Sequence, residues 1–142
     1  MTLYLDTSAV VKLYADEHGS AATRRAVAEA DLIASSIVTY TETRAALSRK
    51  YRTRKIDAAA FARSKAEFES DWKGFVIMPV DTQTIRSAGE FAEQFGLRAY
   101  DAVHLATANS FSRETVSQVR FACFNAALNR AASTLGLMPM VS

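Results

Sequence analysis

The sequence is short of most features that would assign it to a special class. It has one cysteine, Cys123, two prolines and five glycines in 142 residues. A lone cysteine excludes an intramolecular disulfide and a cysteine-rich zinc site. So little Gly and Pro excludes collagen-like and linker-like chains and favours helices joined by short turns. No uninterrupted apolar run approaches the roughly 20 residues that span a bilayer. The opening Met1-Thr2-Leu3-Tyr4-Leu5-Asp6 has neither a basic leader nor a long apolar core. No signal peptide or membrane is therefore expected, and a cytoplasmic location is. Charge of one sign is missing as well. Seventeen Lys and Arg against fifteen Asp and Glu leave a formal charge of +2, too little for binding nucleic acid by bulk charge. Any such function must come from a local site.

What is present is apolar material, 49% of the chain, enough for a core within one domain over residues 1–142. Leu3-Tyr4-Leu5 reads as a strand that stops at Asp6. A short helix through Val10, Val11, Leu13 and Tyr14 follows, with Thr7 or Ser8 as N-cap. Gly19-Ser20 precede an Ala-rich helix to Ala30, and Leu32 to Ser35 forms a second strand. Ser36 is expected to cap a long helix from about Ile37 to Arg52. Asp57 opens another helix through Trp72, and Phe75 to Pro79 reads as a buried strand. Asp81 caps a helix that ends at Gly96. Ala99 to Ala108 is apolar nearly all round apart from Asp101, His104 and Thr107, which predicts an interior helix. Val119 to Phe124 is a fourth strand, and Asn125 begins a last helix. Strands alternating with helices predict a three-layer α/β domain, a short central parallel sheet flanked by helices.

In such sheets ligands bind beyond the carboxyl ends of the strands. Asp6 and Asn125 each follow a strand, Asp101 starts the interior helix and Glu42 lies in the long helix after the second strand. A carboxylate at an apolar edge is costly unless paired or bound to a cation. Three of them converging on one pocket repel, raise one another's pKa and invite a hard divalent ion. Each residue also has a plain structural use: Asp6 and Asn125 as helix caps, Asp101 as a first-turn acid, Glu42 as a surface glutamate.

Leu5-Asp6-Thr7-Ser8-Ala9, Thr41-Glu42 with Ala46-Leu47-Ser48-Arg49, and Tyr100-Asp101-Ala102-Val103-His104-Leu105-Ala106-Thr107-Ala108 resemble, in that order, the PIN-domain family. Within it they resemble the VapC toxins of bacterial toxin–antitoxin pairs. The resemblance runs almost end to end. It implies a PIN-like fold and a metal-dependent endoribonuclease, with Asp6, Glu42 and Asp101 holding one or two Mg²⁺ or Mn²⁺ ions. It also implies a homodimer, an RNA substrate, and neutralisation by a VapB-type antitoxin that reaches the acidic site. Asn125 stands where the family commonly has a fourth acid; an amide there can accept from metal-bound water but carries no charge. The alternative is accordingly a catalytically weak or inactive PIN domain that binds antitoxin or RNA. A phosphohydrolase on a Rossmann-like sheet fits less well, because Ser8 and Ala9 follow where an acid is needed.

Around this set, Thr7 or Ser8 is a candidate for orienting a carboxylate, and Ser8 for meeting substrate or simply capping a helix. Arg98, three residues before Asp101, is a candidate for substrate phosphate. Arg49, Lys50, Arg52, Arg54 and Lys55 read either as a solvated helix end or as an RNA contact led by Arg49, with Tyr51 stacking on a base. His104 reads as a satisfied core histidine and Cys123 as a small buried hydrophobe. Phe68, Trp72 and Phe75 read as core or dimer surface.

Overall fold

The computed structural model describes residues 1–140. Twelve elements follow in chain order among the described residues: β1 (Thr2–Leu5), α1 (Thr7–Lys12), α2 (Ser20–Glu29), β2 (Leu32–Ser36), α3 (Val38–Arg52), α4 (Ala58–Trp72), β3 (Val76–Met78), α5 (Thr82–Phe95), α6 (Ala99–Glu114), β4 (Val119–Ala122), α7 (Ala126–Thr134) and β5 (Met138–Pro139). The strands form one sheet in the order β3-β2-β1-β4-β5, parallel throughout. The expected three-layer α/β architecture is the one observed.

β1 lies at the centre and is buried along its whole length. Its side chains alternate between the two faces, as the pleat requires. Tyr4 joins Leu105, Phe121 and Leu128 on one side. Leu3 and Leu5 join Val10, Leu47 and Phe68 on the other. Helix α6 supplies Leu105 and Ala108 to the first face while Ala102, Val103 and Ala106 pack against Ala88 of α5. Covered on both sides, α6 must be apolar all round, and residues 102–109 are buried without interruption. Phe68, Trp72 and Phe75 cluster with Tyr40 in the second layer; Phe68 is fully buried in the core, and Trp72 and Phe75 pack against it half-buried.

The strand order reverses between β1 and β4, the point where an open parallel sheet leaves a crevice at its carboxyl edge. Asp6 caps that edge; its backbone N–H donates to Ala122 O at 3.0 Å. One glycine is fixed by geometry. Gly19 has φ +91°, and a Cβ there would meet the Phe124 ring at 2.4 Å.

Several local expectations are corrected. The N-cap of α1 is Asp6, whose side chain accepts from Ala9 N, in place of Thr7 or Ser8. Carboxylate caps are as good as hydroxyl caps, so spacing alone did not separate them. Helix α3 begins with Ile37 as cap residue and no side-chain cap bond; Ser36 belongs to β2, and its Oγ accepts from Val38 N at 3.3 Å. β3 is three residues long and half-buried, because it is an edge strand. β4 stops at Ala122, leaving Cys123 and Phe124 in the crevice loop. Helix α6 runs on to Glu114. β5 was not expected: two residues ending in proline carry no periodic pattern, and proline is tolerated there because the strand is at the edge.

Candidate active site

Asp6 is 4% exposed. Its Oδ1 accepts from Ser8 Oγ at 2.7 Å and Ala9 N at 2.9 Å, so one oxygen closes the start of α1 and Oδ2 remains for another ligand. Burial pushes its pKa up; the nearby His104 and the two hydrogen bonds oppose this, and Asp101 adds to it. Ser8 also accepts from Phe124 N at 3.1 Å, tying the β1 and β4 ends together.

Glu42, on the first turns of α3, turns Oε1 to Thr7 Oγ1 at 2.5 Å and to His104 Nε2 at 3.0 Å. Its burial works to raise the pKa, but the bonds from His104 and Thr7 outweigh it and hold the carboxyl below its ordinary value. Mutual repulsion was expected to raise all three acids. It contributes at Asp6, through Asp101; at Glu42 burial is the opposing effect, and a local donor pair overcomes it. Asp101 sits in the first turn of α6 with Oδ2 at 3.4 Å from Arg98 Nε. Arg98 is mostly in solvent, its side chain 84% exposed.

Asp6, Glu42 and Asp101 line one cavity of about 740 Å³, together with Ser8, His104, Arg98 and Arg49. The sequence candidates are therefore brought together, with one exception. Asn125 is the N-cap of α7, its Oδ1 accepting from Leu128 N at 2.9 Å, and it is outside the cavity lining. The same lining is also strongly basic: Arg49, Lys50, Arg52 and Lys55 contribute to it with Lys12. Glu17 joins two of these, accepting from Lys12 at 2.9 Å and Lys50 at 2.7 Å, and its pKa is lowered by those bonds. Tyr51 is otherwise engaged than expected, its ring stacked on Phe61 at 5.1 Å. Cys123 is buried, and desolvation pushes its thiol up to about 12, which makes it unreactive.

Among the described residues no three His, Cys, Asp or Glu side chains are grouped closely enough to hold a metal ion between them. The donor set nevertheless suits a hard ion. Mg²⁺ typically takes one or two carboxylates and keeps several waters, and Asp6, buried without a Lys or Arg partner, supplies a carboxylate whose desolvation a cation relieves.

Two contributors escaped the sequence reading. His104 is a satisfied core histidine, as expected, but its partner is the site glutamate; its place three residues after Asp101 was the available signal. Glu17 gave none, since a loop glutamate before a helix is commonplace.

A PIN domain family model matches residues 3–118. The chain belongs to the PIN-domain family. It is 33% identical over 106 residues to Ribonuclease VapC49 of Mycobacterium tuberculosis, covering 75% of this chain and 74% of the relative. Among solved structures, Mycobacterium tuberculosis VapC20, a Sarcin-Ricin loop cleaving toxin, superposes with a TM-score of 0.65 at 18% identity, over 91% of this chain and 94% of that one. A chain of VapBC2 from Rickettsia felis, bound to a DNA fragment from its promoter, gives 0.65 at 16% identity over 98% and 97%. The solved structures share the fold. The VapC ribonuclease relative places this PIN domain among nucleases and does not favour the pure binding module.

Proposed function

We propose that this chain is a VapC-type toxin, a metal-dependent endoribonuclease that hydrolyses RNA phosphodiester bonds. The observation that carries the reading is the cavity itself, where Asp6 at the end of β1, Glu42 of α3 and Asp101 of α6 share one lining with arginines and lysines. Asp6, Asp101 and Glu42 would hold Mg²⁺ or Mn²⁺, one or two ions. Such an ion supplies an activated water and charge stabilisation at the phosphate. Arg49 and Arg98 meet backbone phosphates on either side of the acids, and Ser8 fixes the orientation of Asp6. Asn125 caps α7 and lies outside the cavity lining, so the reading does not depend on it. The acidic floor alone repels RNA, so the basic wall draws the strand in and the cation completes the attraction.

The VapBC assembly among the structural neighbours supports a VapB-type antitoxin as the partner, presenting basic groups to the acidic floor. A homodimer and action in the cytoplasm, where RNA is met, complete the reading. The test is cleavage of a panel of structured RNAs with Mn²⁺ by this chain and by Asp6→Ala. Cleavage by the first and none by the second is expected; equal cleavage overturns the reading.

A further inference from the structure

His104 is the buried polar group for which the proposed chemistry has no use. It lies on α6 one turn beyond Asp101 and is 2% exposed. Both ring nitrogens are held by side chains from other elements. Tyr4 Oη stands 2.9 Å from Nδ1, and Glu42 Oε1 stands 3.0 Å from Nε2. Thr7 Oγ1 lies 3.2 Å from the same nitrogen and donates to the same glutamate oxygen. Tyr4 is itself fully buried in β1, its ring stacked on Phe121 at 5.6 Å. The tautomer is assigned from these partners: with Tyr4 donating to Nδ1, Nε2–H is left to donate to Glu42. The chain of contacts therefore runs from the central strand, through an interior helix, to a carboxylate on the cavity wall.

We propose that His104 is a positioning residue for Glu42. With Thr7, it fastens Oε1 into the protein and leaves Oε2 for the cavity, fixing a side chain that would otherwise rotate about three bonds. Tyr4 sets the histidine, and the histidine sets the glutamate. A merely structural histidine needs partners of any kind; this one spends its cavity-side nitrogen on a site acid. The inference rests on the nuclease reading above and adds to it a residue that never touches substrate.

Glutamine and asparagine separate the two roles. In His104→Gln the amide nitrogen reaches about as far as Nε2 and still donates to Glu42. In His104→Asn the shorter amide reaches only about as far as Nδ1. Both lose the ring, so both should melt at similarly reduced temperatures. We expect His104→Gln to keep kcat within about threefold, and His104→Asn to lose about 10- to 100-fold in kcat, the range for groups that orient ligands, with KM for RNA little changed. Mn²⁺ affinity measured by calorimetry should weaken in the Asn variant and hold in the Gln variant. Equal losses in the two, or losses that follow melting temperature alone, overturn the proposal. If neither variant folds, Tyr4→Phe keeps the stacked ring and removes only the hydroxyl; Mn²⁺ binding weakened severalfold is expected, and unchanged binding overturns the role. Absence of Mn²⁺-dependent cleavage by the unsubstituted chain would count against the nuclease reading, while the Mn²⁺ affinities still decide whether His104 positions Glu42. Absence of Mn²⁺ binding by the unsubstituted chain overturns both.

Discussion

The two walls of the cavity are built in opposite ways. On the acidic side, Asp6 and His104 are buried and two carboxylates are anchored by short, named contacts, Asp6 by Ser8 and Ala9 and Glu42 by Thr7 and His104, while Asp101 meets only the exposed Arg98 at 3.4 Å. On the basic side, long side chains ride the end of α3, and the firm tie among them is Glu17 bridging Lys12 and Lys50. A buried charge is expensive unless compensated, whereas an exposed one costs little and is worth little. The acidic wall should therefore govern chemistry and fold stability together. The basic wall should govern binding and its salt dependence, with almost no effect on stability.

A large effect that would sharpen the contrast comes from Asp101→Asn, which keeps size and removes one site charge. We expect cleavage to fall by about a hundredfold or more, with melting temperature changed by no more than about 2 °C, read by single-turnover kinetics beside calorimetry. Next is the basic wall. Arg49→Ala should raise KM for RNA by about tenfold and lower the slope of log affinity against log salt by about one, with kcat unchanged. A loss confined to kcat would break the division of labour.

The third contrast is within the acidic wall and concerns pH. Burial raises the Asp6 pKa, so between its ordinary and its raised value the folded state binds more protons than the unfolded one. That contribution to stability is full at low pH and is lost as pH rises through the folded value. Glu42 is lowered, so its contribution is present above the ordinary glutamate value and is lost as pH falls through the folded one. Melting curves from about pH 3 to 8 should therefore show Asp6→Asn gaining on the unsubstituted chain at the upper end, and Glu42→Gln losing its disadvantage at the lower end. The smallest effect is Asn125→Asp. Aspartate caps as well as asparagine, and the side chain lies outside the cavity lining, so stability should hold within about 0.5 kcal/mol and the cleavage rate within about threefold.

Much of this was legible in the residues. Leu3-Tyr4-Leu5-Asp6 reads as an apolar strand ending in an acid, and the structure makes it the middle strand, whose two faces must both be apolar. The nearly featureless apolar run of α6 announced an interior helix carrying Asp101. What the sequence did not disclose were contacts across long separations. Spacing placed His104 on the face of Asp101, yet its bonds go to Tyr4 and Glu42, 100 and 62 residues away. Tyr51, open to either a solvated helix end or a base, stacks on Phe61, since both belong to an α3–α4 hairpin whose closeness no local pattern reports. The edge strands were misread for the same reason: burial depends on neighbours, and β3 and β5 each have only one.

Asp6, the buried acid that follows β1, serves the reaction at the expense of the fold. This is tested most directly by Asp6→Asn, which retains the cap on α1 and removes only the charge. Measured on one structured RNA with Mn²⁺, cleavage should fall by about a thousandfold, while melting temperature at neutral pH stays level or rises by about 3 °C. Cleavage equal to that of the unsubstituted chain would contradict the account.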